Sequence, residues 1–380
     1  MGAPVLRFKD EWGQEFPKWD AVTLGKIVTI RSGISPSSYD LSESGVYPFL
    51  KVEDLNNCSK YQVQSREYSS STKNLVPKNS VIFPKRGAAI LNNKVRVSIS
   101  PVLMDSNLMA LTSNNDNLSF EYLYYKLFND QLFKIADTSS IPQINNKHIL
   151  PYLVSLPSIA EQTKIANFLT AVDEKIQHLT QKADLLAQYK KGVMQQIFSQ
   201  ELRFKDDDGA EFPEWENKIL GQFSHIRTGK SNREDSSLIG EYTFFDRSQD
   251  IRTSDIFLFD CEAIIVAGEG QEFIPKYFAG KFDLHQRTYA IMDFGEISGK
   301  FIYFYVYQFR SYFLSQAVGS TVKSLRLPMF QKMPFHLPCH KEQTKIANFL
   351  SAIDDKITHT QTQLAAVKQY KQGLLQQMFV

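Results

Sequence analysis

The chain has 380 residues, of which 43% are hydrophobic and 13% aromatic, so it can bury sizeable cores and two or three domains are expected. Its 43 basic and 41 acidic residues leave a net charge of +2. A strongly basic chain would indicate nucleic-acid binding, and this net charge neither indicates nor forbids it. The three isolated cysteines exclude a disulfide framework and a paired-cysteine metal site. No apolar run approaches the length of a membrane span and no signal peptide opens the chain, so we expect a soluble cytoplasmic protein.

The first element along the chain is a short segment that occurs twice. Its first copy, LRFKDEWGQEFPKWD, occupies residues 6–20, and 10 of its 15 positions recur in LRFKDDDGAEFPEWE at residues 202–216. These copies divide the sequence into an N-terminal segment of residues 1–20 and a linker of residues 202–216, each of which precedes one intervening domain. Two copies with so long a period indicate a duplication rather than a solenoid.

The first intervening domain comprises residues 21–157 and carries 14 basic and 10 acidic residues. The branched residues at 80–83 predict a β-strand, and the aromatic stretch at 120–135 predicts a buried helix. A polar loop follows at residues 138–147. These elements favour a mixed α/β domain with a small, irregular sheet.

A long helix is predicted after this domain, within residues 158–201. Ser158 and Glu161 have the spacing of a capping box, in which each side chain satisfies a backbone N–H at the start of the helix. Apolar residues alternating at spacings of four and three form a narrow stripe that is buried against another helix. Lys190 interrupts a stripe that otherwise consists of Ile165, Leu169, Val172, Ile176, Leu179, Ala183, Leu186, Val193 and Ile197.

The second intervening domain, residues 217–338, repeats the plan of the first with 14 basic and 13 acidic residues. Residues 262–266 predict a strand, because they are rich in branched side chains. Residues 301–314 predict a buried helix, although their aromatic content also suits a strand. Another polar loop, at residues 319–326, leads towards the second long helix.

The last predicted element is a second long helix within residues 339–380. It repeats EQTKIANFL of the first helix 181 positions later, and 21 of the 38 residues from 161 to 198 are identical in it. Because both helices carry the same kind of stripe, we expect the two stripes to bury each other. Thr360 and Lys371 interrupt the second stripe, which consists of Ile346, Leu350, Ile353, Ile357, Leu364, Val367, Leu374 and Met378.

The order of the repeated elements is circular. The first helix is followed by LRFKD, whereas the second ends at Val380, where another LRFKD would come, and that segment stands at the N-terminus instead. We therefore predict that the N-terminal segment completes the second repeat, residues 202–380, in space and brings the chain ends together.

Motifs of catalysis are missing from the sequence. There is no phosphate loop, no dinucleotide fingerprint opening a helix, no HExxH and no CxxC, and Gly268-Glu269-Gly270 is best interpreted as a turn. We expect no catalytic residue, no cofactor and no metal. This disfavours an enzyme with an unrecognised site. Two classes of protein remain: one is a binding subunit, and the other is a coiled-coil scaffold or adaptor that does not read DNA.

The repeated motifs carry a family resemblance. PSIAEQTKIANFL and PCHKEQTKIANFL each close a variable domain and open a helix that ends in QYKxGxxQQxF; with the LRFKDxxGxEFPxW segments, they resemble the specificity subunit of type I restriction–modification systems. The resemblance implies an α/β fold with two mixed α/β target recognition domains. These would be separated by two long antiparallel helices that form a coiled coil, as a pseudo-two-fold internal repeat.

The resemblance also implies a function and a set of partners. The subunit would be non-catalytic, and each recognition domain would read one half of a bipartite, asymmetric DNA sequence. Double-stranded DNA and two methyltransferase subunits docked on the helices would be its partners, and restriction motor-nuclease subunits would join the full complex.

Base readout in the domains needs side chains that donate and accept in pairs, such as Arg for guanine and Asn or Gln for adenine. Loop residues of these types are the candidates in the first domain: Lys85, Arg86, Gly87, Asn92, Asn93, Ser106, Asn107, Gln143, Asn145, Asn146 and Lys147. The corresponding candidates in the second domain are Glu269, Gly270, Gln271, His285, Gln286, Arg287, Lys323, Ser324 and Arg326. We match residues 85–87 with 269–271, and residues 105–107 with 285–287.

The helices offer a second kind of candidate site. Repeated polar residues that the apolar stripe does not explain are expected to be exposed and to bind the partner subunits: Gln162, Lys164, Asn167, Gln343, Lys345 and Asn348. Two similar surfaces predict two copies of one partner. Because each helix would be about 60 Å long, we also expect helix length to fix the gap between the two half-sites.

Overall fold

The chain folds into two structural units, each built around one of the two intervening domains. The computed structural model describes residues 4–138 and 141–379. The first unit comprises Met1–His178 and Gln363–Val380, and the second comprises Leu179–Thr362. Each unit therefore combines one domain with the first part of one long helix and the last part of the other.

The first domain is a mixed α/β fold, as predicted. A five-stranded sheet of order β2-β9-β6-β7-β4 forms its centre, beside a three-stranded sheet, β5-β3-β8, and the pair β1-β10. The strands are β1 (Asp20–Thr23), β2 (Val28–Ser32), β3 (Tyr47–Leu50), β4 (Tyr61–Gln62), β5 (Glu67–Ser69), β6 (Val81–Pro84), β7 (Arg96–Ser98), β8 (Leu103–Met104), β9 (Leu108–Ser113) and β10 (Leu153–Leu156). The helices are α1 (Leu24–Ile27), α2 (Phe120–Asp130), α3 (Asn146–Ile149) and the long α4 (Ile159–Phe198).

Strand β6 confirms the strand predicted at residues 80–83, and α2 confirms most of the predicted aromatic helix. Ser119 caps α2 by accepting a hydrogen bond from the Tyr122 amide. The helix ends five residues earlier than predicted, because Gln131 takes a left-handed conformation with φ 59° and a 3₁₀ turn, Leu132–Ile135, follows. A residue with positive φ cannot continue an α-helix.

The second domain has the same plan with a larger sheet. Six strands lie in the order β12-β18-β15-β17-β13-β14, beside the pairs β11-β20 and β16-β19. The strands are β11 (Glu216–Ile219), β12 (His225–Thr228), β13 (Tyr242–Phe245), β14 (Arg252–Ser254), β15 (Phe259–Ala267), β16 (Glu269–Gly270), β17 (Lys276–Leu284), β18 (Thr288–Met292), β19 (Lys323–Ser324) and β20 (Pro334–Leu337). The helices are α5 (Gly299–Gln308), α6 (Ser311–Gln316), α7 (Leu327–Gln331) and the long α8 (His340–Met378).

Strand β15 contains the predicted strand at residues 262–266. The aromatic stretch at 301–314 is helical, as predicted, but it is divided between α5 and α6 with a break at Phe309 and Arg310. Helix α5 buries Phe301, Phe304 and Tyr305 against the sheet side of the core. Ring burial of this size explains why so aromatic a stretch is stable as a helix.

Each unit contains an antiparallel contact between the two long helices. In the first unit, Ile165 and Leu169 of α4 share a hydrophobic cluster with Leu374 and Met378 of α8. In the second unit, residues near the end of α4, Val193, Met194 and Ile197, share a cluster with residues near the start of α8, Ile346, Leu350 and Ile353. The early part of each helix therefore packs on the late part of the other. The predicted stripes are buried towards the helix ends and half-buried in the middle, at Ile176, Ala183, Leu186, Ile357, Leu364 and Val367. In the described ranges, neither these helices nor any other combines the length and apolarity of a membrane span.

The repeated LRFKD segment is clamped to the start of a long helix in both units. The Arg7 guanidinium donates to both carboxylate oxygens of Glu161, at 2.9 and 2.7 Å, and Trp19 Nε1 donates to the same carboxylate at 2.9 Å. Their repeat equivalents Arg203 and Trp215 bind the Glu342 carboxylate, at 3.2 and 2.8 Å and at 3.1 Å. Both carboxylates are fully buried.

This clamp corrects half of the predicted capping box. The Ser158 hydroxyl accepts the Glu161 amide at 3.4 Å, as expected of a cap. The Glu161 side chain, however, is turned to Arg7 and Trp19, because a buried carboxylate is stabilised far more by a guanidinium than by a backbone amide at the helix start.

The circular order predicted from the repeat is confirmed at the ends of the long helices. The Leu202 amide donates to the Gln196 carbonyl at the end of α4, at 3.0 Å. The Leu6 amide donates to the Gln377 carbonyl at the end of α8, also at 3.0 Å. The N-terminal segment thus takes the place after α8 that the linker takes after α4.

Candidate nucleic-acid interface

Three loops of the first domain meet at the end of its central sheet. The Lys85 amide donates to the Asn107 carbonyl at 2.8 Å, and the Ile144 amide donates to the Lys85 carbonyl at 2.9 Å. The Gly87 amide donates to the Pro142 carbonyl at 2.9 Å, and Arg86 forms a bridge with Gln143. We call this set, residues 85–87, 105–107 and 142–147, the first loop cluster.

The first loop cluster brings together most of the candidates predicted from sequence. Its exposed side chains include Arg86, Ser106, Asn145, Asn146 and Lys147. Gly87 has φ +80°, and a Cβ built on it would meet nothing within 4 Å, so the backbone is open to solvent there. Residues 139 and 140 of the predicted polar loop lie outside the described residues.

Asn92 and Asn93 do not join this cluster. The Asn93 side-chain amide donates to the Phe128 carbonyl near the end of α2, at 2.7 Å. That contact pairs a carbonyl in the last turn of α2, and the preceding residue, Asn92, is exposed. Asn92 and Asn93 follow residues 85–87 closely in sequence, but the 3₁₀ turn Ala88–Ile90 separates them.

The second domain forms an equivalent second loop cluster from residues 268–271, 285–287 and 323–326. The Gly268 amide donates to the Arg287 carbonyl at 2.8 Å, and the Leu325 amide donates to the Gly268 carbonyl at 2.7 Å. Strands β16 and β19 pair Glu269 with Ser324. These are the same connections as in the first cluster, so the two domains present equivalent loops.

The hydrogen bonds correct one predicted match and confirm the other. Gly268 makes the bonds that Lys85 makes in the first domain, so residues 85–87 correspond to 268–270 and not to 269–271. The match of 105–107 with 285–287 is confirmed, because the amides of Asp105 and His285 both donate to the last residue of a neighbouring strand, at 2.9 Å in each case. A one-residue shift of this kind is invisible where the loops share no sequence.

Charge is arranged differently in the second loop cluster. The Glu269 carboxylate accepts a hydrogen bond from Arg287 Nη1 at 2.7 Å and another from Arg247 Nη1. Arg247 was missed by the sequence analysis, although it follows the end of β13 by only two residues. A basic residue just after a buried strand is the signal that could have identified it.

His285 holds the backbone of the second loop cluster. Its side chain is 6% exposed, and its Nδ1 accepts the Arg287 amide at 3.0 Å. Burial, with the nearby positive charge of Arg247, lowers the pKa of His285 below its usual value, so the neutral ring that can accept this bond is favoured.

The candidate partner-binding residues on the helices divide into two groups. Gln162 and Gln343 are buried, so the expectation that they are exposed is wrong. Gln162 Oε1 accepts the amide of Ser119, the residue that caps α2, at 2.8 Å, and Gln343 Oε1 accepts the amide of Ser298, which caps α5, at 3.0 Å. These side chains attach each recognition domain to its long helix, which is why the sequence repeats them.

The remaining candidates lie nearer the surface. Lys164 donates to the Lys9 carbonyl and Lys345 to the Lys205 carbonyl, both at 2.8 Å, so each fastens a repeated segment. Asn167 and Asn348 are exposed. Partner binding at all these positions stays a prediction.

Fold and loop clusters together define a recognition protein with two related domains, in which equivalent loops carry different side chains. The family described as the type I restriction modification DNA specificity domain matches residues 17–188 and 213–369. The two matched ranges cover most of the chain and correspond to the two repeats. The chain therefore belongs to this family, as the resemblance of its repeated motifs indicated.

Individual relatives can be aligned with this chain over nearly its full length and nearly all of their own. The MjaVIII specificity subunit of a type I restriction enzyme of Methanocaldococcus jannaschii is 22% identical over 97% of this chain and 94% of its own. The MjaIX specificity subunit of the same organism is 21% identical over 98% and 97%. The crystal structure of a type I restriction-modification S subunit from M. genitalium covers 100% of this chain and 99% of that one, with a TM-score of 0.67 and 15% identity. An HsdS subunit from Thermoanaerobacter tengcongensis gives a TM-score of 0.51 over 96% and 97%, also with 15% identity. These two structures share the fold.

Proposed function

We propose that the chain is the non-catalytic specificity subunit of a type I restriction–modification enzyme, in which each loop cluster reads one half of a bipartite, asymmetric DNA sequence. The observation that carries this proposal is the equivalence of the two clusters in backbone hydrogen bonding, combined with their different side chains. Arg86 and Asn107 of the first cluster correspond to Glu269 and Arg287 of the second. Equivalent frames with unlike side chains suit two readers of different sequence.

The test exchanges one reader and leaves the other in place. Residues 21–157 would be replaced by the corresponding domain of a relative, and the methylated sequence of a host strain would be read before and after. We expect one half-site to change and the other to stay the same. A change in both halves would contradict independent reading by the two domains.

We further propose that the chain docks two methyltransferase subunits, to which restriction motor-nuclease subunits add. Support comes from the duplicated helix surface, which presents Asn167 and Asn348 at equivalent exposed positions. Mass measurement of the purified complex at saturating methyltransferase should give one specificity chain to two partners. A one-to-one complex would contradict the proposal. If the complex caused no electrophoretic mobility shift of target DNA, the alternative function as a coiled-coil scaffold would be favoured.

We also propose that the partner subunits carry out catalysis, because this sequence has no phosphate loop, dinucleotide fingerprint, HExxH or CxxC motif. Methyl transfer by the specificity chain alone should be undetectable, and activity should appear when the methyltransferase is added. Transfer by the isolated chain would contradict the non-catalytic assignment.

A further inference from the structure

The second loop cluster contains an acidic residue held between two arginines. Glu269 is 17% exposed, whereas Arg247 and Arg287 are 47% and 59% exposed. Each arginine uses Nη1 for the carboxylate, and within the described ranges no second side-chain hydrogen bond is recorded for either guanidinium. The carboxylate is thus the mostly buried part of the group, and the two guanidinium groups are its exposed part.

Stability alone does not account for this arrangement. Exposed ion pairs contribute about 0–1 kcal/mol, and one carboxylate between two guanidiniums leaves a local excess of positive charge. Two long side chains are held in defined positions with donors still open to solvent. Holding a side chain in its binding geometry before the ligand arrives lowers the entropic cost of binding.

We infer that Arg247 and Arg287 are the guanine-reading residues of the second domain, and that Glu269 is the positioning residue that orients them. This inference rests on the proposed function. A guanidinium fork matches the O6 and N7 acceptors of guanine in the major groove, and the contact of arginine or lysine with these acceptors is the commonest specific contact to a base. Glu269 also compensates the repulsion between the two cations, so both can approach the same groove.

The first domain lacks this group, so the inference applies to one half-site only. At the position of Glu269 it has Arg86, and at the position of Arg287 it has Asn107. Two residues beyond the strand end, where the second domain has Arg247 after Phe245, it has Val52 after Leu50. The first half-site therefore serves as an internal control for the second.

The test measures base discrimination by the complete complex with its methyltransferase. Methylome sequencing gives the cognate site, and affinities are then measured for the cognate duplex and for each single-base-pair substitution in both halves. The variants are Arg287→Lys, Arg247→Lys and Glu269→Gln. Glu216→Gln is the matched control, because Glu216 forms an exposed ion pair with Lys218 at 3.0 Å, in the pair β11-β20 and outside the loop clusters.

We expect a G·C pair in the second half-site at which Arg287→Lys lowers discrimination by about 5- to 150-fold, the range of one bidentate base contact. Lysine keeps the charge but loses the fork, so binding to non-cognate DNA should persist. Glu269→Gln should weaken discrimination at the same pair or its neighbour, and Glu216→Gln should change neither half. Discrimination in the first half-site should be intact in every variant.

Three outcomes would overturn the inference and leave the proposed function standing. One is a second half-site made of A·T pairs alone, and another is unchanged discrimination in the arginine variants. The third is an equal loss of affinity for every sequence, which would make the arginines phosphate contacts. If the unsubstituted protein discriminated between bases in neither half-site, the proposed function itself would be contradicted.

Discussion

Lys190 Nζ of α4 lies 2.6 Å from Asp354 Oδ1 of α8, and the repeat equivalents of these residues, Lys371 and Asp173, make the same contact at 2.6 Å. Lys190 interrupts the first apolar stripe after Leu186, and Lys371 interrupts the second after Val367. Each also lies over an aromatic ring of the domain in the same structural unit. Lys190 Nζ is 5.1 Å from the Phe304 ring centroid in the second domain, and Lys371 Nζ is 5.0 Å from that of Phe128 in the first. Both interruptions are thus polar contacts that join the helix pair to the adjacent domain.

Removing the carboxylate of one pair should destabilise the second unit. Asp354→Ala would leave Lys190, which is 14% exposed, without its anion, and we expect a loss of about 1–3 kcal/mol. Replacing both residues, as Lys190→Met with Asp354→Leu, should recover most of it, because no unpaired charge remains. Urea unfolding measures the effect. The neighbouring exposed Asp355→Ala is the control, and an equal loss there would refute a specific contribution of the pair.

Neutralising the buried clamp should loosen the repeated linker segment. Glu342→Gln leaves the Arg203 guanidinium, 16% exposed, with only a 3.9 Å contact to the exposed Glu214, so we expect a loss of about 2–4 kcal/mol. Residues 202–216 should then be cleaved faster in limited proteolysis. Glu211→Gln breaks the exposed pair with Lys205 in the same segment and should change stability by less than about 0.5 kcal/mol. Similar cleavage of both variants would show that the clamp does not hold the segment.

Lengthening the helices should alter the DNA spacer only when both are lengthened together. Seven residues inserted after Ala183 add about 10 Å of helix and keep the heptad in register. The insertion falls between Asp173 and Lys190, so α4 alone would no longer match α8 at both ion pairs. A second insertion after Leu364, the repeat equivalent of Ala183, restores the match.

We expect the doubly inserted protein to methylate the same half-sites with a spacer longer by about three base pairs, since base pairs are about 3.4 Å apart. The single insertion should lower the unfolding temperature. Methylome sequencing decides the result. An unchanged spacer in the double variant with full activity would refute the idea that helix length sets the gap.

Acid should weaken reading by the second domain through His285. Its folded-state pKa is below the usual 6.5, because burial and the positive charges of Arg247 and Arg287 outweigh the negative charges of Asp246 and Glu269. The unfolded chain therefore binds the proton more readily, so the stability contributed by the neutral ring is complete above about pH 6.5 and is lost as the pH falls below it. Protonated Nδ1 also can no longer accept the Arg287 amide.

Base discrimination in the second half-site should accordingly fall in the window below about pH 6.5, while the first half-site responds less. His285→Asn is the matched variant, because Asp105 at the equivalent position accepts the Asn107 amide with a side-chain oxygen. This variant should keep discrimination and lose its pH dependence in that window. A parallel fall in the variant and the unsubstituted protein would exclude His285 as the titrating group.

Much of the architecture could be predicted from sequence, because the duplicated segments mark where equivalent elements begin and end. Identical stretches 181 residues apart located both long helices, and the stripes of apolar residues indicated the faces that they bury. Local features also located the strands β6 and β15 and the helices α2 and α5. These predictions depend on short-range periodicity, which the chain carries in its own order.

The repeated polar residues show where that reasoning fails. Gln162 and Glu161 are polar and lie outside the apolar stripe, so both looked suited to the helix surface or its cap. In the structure they are buried, since Ser119 and Arg7, 43 and 154 residues away in the chain, supply the hydrogen bonds that make burial tolerable. Helical periodicity cannot distinguish a solvated glutamine from one whose partner comes from a distant segment.

The sequence by itself therefore determined the duplicated plan, the long helices and the kind of residues suited to reading DNA. Only the tertiary structure decided which of those residues share a surface: it joined residues 85–87 to 142–147, moved Asn93 to the end of α2, shifted the loop match by one residue and added Arg247 to Glu269. The physical reason is that loops are placed by backbone hydrogen bonds between segments far apart in the chain, and such bonds leave no periodic mark on the side chains that form them.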